Sequence, residues 1–302
     1  MEQIRRLNAY LREKYNKKIY KIALSAATTC PNRDGKIGTG GCIFCSDGSG
    51  EFSVQVSVNI DEEINTAIEK ISSKVKEETG YIAYFQAYTG TYGDLIRLEG
   101  IYTEAAKNPY IEALSIGTRP DCLDDDVMDM LIRLNKIKPL MIELGLQTCK
   151  KESVDYIRRG YDNQVYEEAV SKLRSQGIEV VVHIILGLPY ETKEDMLNTI
   201  RYINKTDVQG VKLQLLHILE GTDLAIDYEQ GKFDVLSLEE YGDILCELLE
   251  ELREDIVVHR LTGDGAKKLL IAPKWSGDKK RVLNYINTLL IDRNVIQGRR
   301  CK

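Results

Sequence analysis

Short apolar runs alternate with segments of helical period along most of the 302-residue chain. Six runs read as strands: Lys21–Ala26, Tyr81–Gln86, Ile111–Gly117, Met141–Gln147, Val180–Leu186 and Val211–Leu216. A polar amphipathic helix pattern precedes the first. Between the others, Asp61 is placed to cap a helix over Glu62–Glu78, in which Ile64, Ala67, Ile68, Ile71 and Val75 recur at helical spacing. Further helical patterns cover Asp124–Leu134, Gln164–Gln176 and Lys193–Ile203. Six successive β-α units demand a parallel sheet, because each crossover must pack a helix back onto it. Six units fall short of the eight of a closed barrel. The expected fold is therefore α/β, a partial (β/α)6 TIM-like barrel over residues 1–220 with the N-terminal helix. Residues 221–302 read as an α/β extension: helix Leu238–Arg253, strand Asp255–His259, a Gly-containing loop and helix Lys279–Leu290. In such folds chemistry sits in the loops after the C-terminal ends of the strands.

Three cysteines fall just after the first strand, in Cys30-Pro31-Asn32-Arg33-Asp34-Gly35 and Gly41-Cys42-Ile43-Phe44-Cys45. No further Cys follows until Cys122, and no His precedes His183. Closed structural zinc sites and electron-transfer clusters take four protein ligands. Three local thiolates on a four-iron cube leave one iron open to a small molecule, the arrangement needed to cleave S-adenosylmethionine (SAM) reductively. Phe44, inside the Cys-x-x-Cys pair, suits an adenine stacked beside such a cluster. Two alternatives stand beside this reading. One is an iron–sulfur protein that only carries electrons; the other is a nucleic-acid-binding protein with a structural zinc that recruits Cys122, Cys149 or a His.

Other strand ends carry residues out of keeping with a buried strand. Gln86-Ala87-Tyr88-Thr89-Gly90 offers carbonyls and the Thr89 hydroxyl to an ammonium group, or forms an ordinary turn. Arg119, in Gly117-Thr118-Arg119-Pro120-Asp121, suits a carboxylate or phosphate, or a structural ion pair. Glu143 lies within an apolar strand and needs a polar partner, for which a pair of sugar hydroxyls is a candidate. Gly187 would let backbone approach a ring closely. His183 in its apolar run reads first as a core histidine. Lys212 and Gln214 share one strand face, with His217 just beyond.

Composition narrows the class. Hydrophobic content of 43% and charged content of 29% are those of a globular protein. No apolar run reaches membrane-spanning length; the longest, Val180 to Leu188, is broken by His183. Seven cysteines without a signal-like start point to a reducing, cytoplasmic setting. The net charge of −6 is uneven. Residues 251–302 hold 12 Lys/Arg against 6 Asp/Glu, which leaves 29 of the 41 basic and 41 of the 47 acidic residues in the first 250. A basic tail on an acidic body suits a polyanion, though taken alone it reads first as a solvated, Lys-rich final helix.

These runs together resemble the radical SAM superfamily, and within it the YhcC-like branch related to the catalytic subunit of Elongator. The resemblance rests on the two cysteine segments, Gln86-Ala87-Tyr88-Thr89, Gly117-Thr118-Arg119-Pro120-Asp121, Glu143-Leu144-Gly145-Leu146-Gln147 and Gly187-Leu188-Pro189. His259-Arg260-Leu261-Thr262-Gly263-Asp264, Ala272-Pro273-Lys274-Trp275-Ser276 and Gln297-Gly298 extend it past the barrel. Most of the superfamily spaces its cysteines C-x3-C-x2-C, whereas eleven residues separate Cys30 from Cys42 here, as in the Elongator-type relatives. Tyr161 stands where relatives often have His.

The resemblance implies a [4Fe-4S] cluster on Cys30, Cys42 and Cys45, and SAM contacted by Phe44, Gln86, Tyr88, Thr89, Arg119, Glu143, Gln147 and Gly187. It implies cleavage of SAM to a 5′-deoxyadenosyl radical with an electron from a donor such as flavodoxin or ferredoxin. The implied substrate is tRNA, with 5-carboxymethylaminomethyluridine at the wobble position converted to the aminomethyl form.

Overall fold

The computed structural model describes residues 3–46, 59–72, 78–263 and 265–301. Strands β1 (Lys18–Leu24), β2 (Thr79–Phe85), β3 (Ile111–Thr118), β4 (Leu140–Gln147), β5 (Glu179–Leu186) and β6 (Gly210–Leu215) lie side by side in chain order, all parallel. After β6 comes a two-residue strand, β7 (Ile218–Leu219), before the chain rejoins the sheet as β8 (Val257–Arg260), parallel to β6. The sheet curls into an open half-barrel of seven strands. The seventh comes from the extension, whose strand had been expected outside the barrel. Strand β9 (Leu270–Ala272) pairs antiparallel with β7.

Helix α1 (Leu7–Tyr15) precedes β1, and α2 (Ile60–Ile71), α3 (Leu95–Lys107) and α4 (Asp125–Ile137) follow β1, β2 and β3. Next come α5 (Lys151–Tyr156) and α6 (Asn163–Ser175) after β4, then α7 (Lys193–Asn204) after β5. The extension supplies α8 (Asp223–Glu229), α9 (Leu238–Glu251) and α10 (Lys279–Asp292). Two expectations shift. Asn59, not Asp61, caps α2, its side chain accepting from the N–H groups of Asp61 (2.9 Å) and Glu62 (3.3 Å). The end of the helix expected to reach Glu78 includes residues 73–77, which lie outside the described ones. Helix α3 was missed, because Gly100 and two alanines dilute its apolar stripe. Asp94 caps it, and Leu98 and Tyr102 are fully buried.

Alternation along the strands separates two environments. Outward residues such as Ile22, Phe85, Ile116, Ile142, Val182 and Leu213 join the helices in the main core. Inward residues form layers. The lowest holds Ile19, Ile82, Ala113 and Met141, closed from below by Leu11 of α1. The middle layer is polar: Lys21, Tyr84, Ser115, Glu143, His183 and Lys212. Above it the next inward positions are Ala23, Gln86, Gly117, Gly145, Ile185 and Gln214.

Candidate active site

After β1 the chain crosses the C-terminal end of the sheet with the three cysteines. The carbonyl of Pro31 accepts from Ile37 N (2.8 Å) and that of Asn32 from Gly41 N (2.7 Å). The long gap thus folds back and returns Cys42 to the cleft that Cys30 lines. Gly41 has φ +74°, and a Cβ there would sit 3.1 Å from the Arg33 side chain. Buried Asn32 donates from Nδ2 to Arg158 O (2.7 Å) and reaches Cys42 Sγ (3.6 Å), while Cys45 N donates to Cys42 O (2.9 Å). Between them Ile43 is buried in a small core with Ile157, Ile218 and Leu224, which anchors the loop to the extension.

The cleft has a volume of about 310 Å³. Its lining brings together Cys30, Cys42, Cys45, Phe44, Gln86, Tyr88, Thr89, Arg119, Glu143 and Gln147. Gly187 is the exception. It has φ +83°, and a Cβ there would meet Leu236 at 2.9 Å, so it serves the turn after β5 and its packing on the extension instead of lining the cleft.

Several of these side chains have definite partners. Arg119 makes a bidentate pair with Asp121 (Nε–Oδ1 2.9 Å, Nη2–Oδ2 2.8 Å), the structural alternative for this residue. Its guanidinium also lies 4.9 Å from the ring centre of Tyr161, with Arg159 at 4.5 Å from the same ring. Tyr161 donates its hydroxyl to Gly145 O, so its ring, held between two guanidinium groups, ties the loop after α5 to β4. Arg159 is only 1% exposed and donates to the carbonyls of Leu146 (2.6 Å), Thr148 (2.9 Å) and Tyr161 (2.8 Å). Sequence reasoning did not single it out. An Arg-Gly pair after a short helix carries no signal of its own; only the folded chain brings the carbonyls at the end of β4 to it.

Glu143 is 1% exposed, and both its oxygens are occupied. Oε1 accepts from Lys21 Nζ (2.8 Å) and Ser115 Oγ (2.7 Å); Oε2 accepts from Tyr84 Oη (3.1 Å) and the Lys212 ammonium and meets His183 Nε2 (2.6 Å). Burial alone would raise the Glu143 pKa, but Lys21, Lys212 and His183 hold it well below the usual carboxylate range. Burial and the Lys212 charge push His183 down to about 4. A neutral ring then donates from Nε2 to Glu143 and accepts at Nδ1 from Gln214 Nε2 (3.2 Å). The expected core histidine is thus satisfied, yet it also lines the cleft.

The residues present fit a cluster and SAM. Three reduced thiols face one cleft; burial, with Cys45 adding, pushes the Cys42 thiol up to about 11, and burial raises Cys45 too. A cation bound there displaces the protons. Gln147, at φ +66°, holds a buried side-chain oxygen with no partner against the cleft, an acceptor that a ligand hydroxyl or ammonium would satisfy. Among the described residues, no three His, Cys, Asp or Glu side chains are already drawn together around a single point. Nor is any described helix long and apolar enough to cross a membrane.

Comparison with known proteins agrees with this geometry. Residues 29–203 match the model of the radical SAM superfamily, and residues 208–291 match that of the radical SAM C-terminal domain. The chain is 42% identical over 297 residues to uncharacterized protein YtqA of Bacillus subtilis, covering 97% of this chain and 91% of that one. It is 34% identical over 266 residues to protein YhcC of Escherichia coli, covering 88% and 85% respectively. Elp3 of the archaeon Methanocaldococcus infernus shares the fold with a TM-score of 0.70 at 16% identity, over 94% of this chain and 65% of that one. Three thiols lining one cleft at the strand ends, the half-barrel and these matches make the chain a member of the radical SAM superfamily, an enzyme family that works with a [4Fe-4S] cluster and SAM.

Proposed function

We propose that the protein modifies the side chain of a wobble uridine in tRNA, taking the carboxymethylaminomethyl form to the aminomethyl form. The observation that carries the reading is the position of Lys267 and Lys268. Both are exposed, and they directly follow Gly265 and Ala266, which line the cleft. A phosphate backbone passing the mouth would meet cations there, while a single base enters to be modified. The motif resemblance to the Elongator catalytic subunit supports the same substrate class.

A cluster held by Cys30, Cys42 and Cys45 would supply the chemistry of one-electron SAM cleavage to a hydrogen-abstracting 5′-deoxyadenosyl radical. That electron comes from an external donor, flavodoxin or ferredoxin. This chain's own residues prepare the site. Asn32 steadies Cys42, and Gln147 offers its unpartnered oxygen to SAM. Phe44, Gln86, Tyr88 and Thr89 complete the walls against which SAM lies, and Arg119 and Arg159 hold Tyr161 and the exit of β4 in place. Glu143, with its oxygens already taken, sets the charge of the floor rather than binding the ribose directly.

The test is the nucleoside content of tRNA from cells with and without the gene. Loss of the gene should deplete the aminomethyl form and its derivatives and enrich the carboxymethylaminomethyl form. The wild-type gene should restore the profile, and Cys30→Ala should not. An unchanged wobble-uridine profile would overturn the assignment.

A further inference from the structure

A (β/α) barrel interior is ordinarily filled by branched apolar side chains. Here all six residues of the middle layer are polar, and the layer holds two ammonium groups, Lys21 and Lys212, against one carboxylate, Glu143. The Tyr84 ring lies between the ammoniums, 4.9 Å from Lys21 and 4.3 Å from Lys212. Arg260 of β8 adds its charge to the layer, and burial holds both His183 and His259 down, so that both rings stay neutral there. The layer opens upward. Gly117 and Gly145 place no side chain of their own above Ser115 and Glu143, the Gln147 amide reaching over Gly145, and Glu143, His183 and Gln214 are part of the cleft wall. Lys212, 4% exposed, stands one inward position below Gln214. It spends two N–H groups on Glu143 and Tyr84 and has three to give.

Resting on the reading above, we propose that this layer is the receptacle for a carboxylate on the substrate's side chain, with Lys212 the specificity-determining residue that pairs with it. The sign of charge decides between the groups a modified uridine offers. A cationic amine entering the layer would face two ammoniums and a carboxylate already satisfied by five donors. An anion would find a surplus of positive charge in a shielded site. Lys212 itself points the same way: burial holds its ammonium down to about 7, against the pull of Glu143, and a second anion would restore it. The same preference would expel the product, since losing the carboxymethyl group leaves only a cationic amine.

The test measures binding of two anticodon stem-loop RNAs to the cluster-loaded enzyme with SAM, one carrying carboxymethylaminomethyluridine and one the aminomethyl form. N-benzylglycine and benzylamine form a second pair with the same carboxylate difference and no RNA. The wild type should favour each carboxylate-bearing member by about tenfold, the scale of a hydrogen bond to a buried charge. Lys212→Met should erase the preference while retaining iron. If that variant fails to hold iron, Lys212→Met paired with Glu143→Gln removes both charges of the pair and serves instead. Titration at pH 8 in buffers of different ionisation enthalpy should show proton uptake on binding the carboxylate member, absent without Lys212. Preference within the small-molecule pair alone would uphold the receptacle and sink the tRNA reading. Equal binding within both pairs by the wild type, or full preference after loss of Lys212, would overturn the proposal.

Discussion

Glu143 and Lys212 show how neighbours, and not residue type, set the state of a buried charge. One carboxylate gains from every cation around it, so Glu143 stays ionised in spite of burial. Each ammonium shares that single anion with another cation, so for Lys212 burial wins. A carboxylate whose pKa is depressed in the folded state stabilises the fold above its unfolded value near 4.3. That contribution disappears as pH falls through the depressed folded value. Glu143→Gln leaves two lysines without their counter-charge and should cost about 3–5 kcal/mol in urea unfolding at neutral pH. The gap from wild type should narrow as pH drops below the usual carboxylate range; a constant gap would show that Glu143 acts by shape alone. The cysteines at this scale are legible because they are local. Lys21, Tyr84 and Ser115 were not, because each is a lone polar residue in its own strand, and their convergence is a property of the curled sheet.

Among the elements, β8 extends the half-barrel of the six repeating units and α1 covers its floor. Helix α1 runs under the sheet from the last strand to the first. The bridge between Arg6 and Val258 ties its start to β8, and Leu11 packs on Ile19, Ile82, Ala113 and Met141. Leu11→Ala should therefore cost about 2–5 kcal/mol, the range for a fully buried leucine, in chemical denaturation. The polar layer lies directly above these residues, so the same variant should also speed hydrogen exchange at the N–H groups of β1 and β2. A loss below 1 kcal/mol would mean that α1 does not seal the barrel floor. The helix was foreseen from its pattern, but nothing local says which end of a barrel it covers. Likewise the strand around Val257 was read from its residues, while its place beside β6 depends on pairing across 41 intervening residues.

For the molecule as a whole, part of the basic surplus of residues 251–302 is engaged within the chain. Arg299 and Arg300 pair with Glu250, Lys274 donates to Leu270 O, and Arg260 sends its field into the barrel. Of the basic residues there, Lys267 and Lys268 are those next to the cleft. RNA affinity should fall with salt at a log–log slope of roughly −0.7 to −0.9 per phosphate neutralised. Reversing both lysines to Glu should flatten that slope by about two contacts' worth and should weaken binding more than reversing Lys279, Lys280 and Arg281 does. An unaltered slope would move the RNA path elsewhere.

The sequence by itself determined the βα alternation, the parallel sheet, the three-thiol loop at the end of the first strand and the superfamily. All of these are written in spacings of a few residues, where periodicity and turn chemistry act. Tertiary structure decided the seventh strand, the turn and packing role of Gly187, the Tyr161 tie to β4 and the charge layer around Glu143. These depend on which residues of different strands face one another at the same height, and side-chain direction in a curled sheet follows from register and stagger, which no local pattern contains.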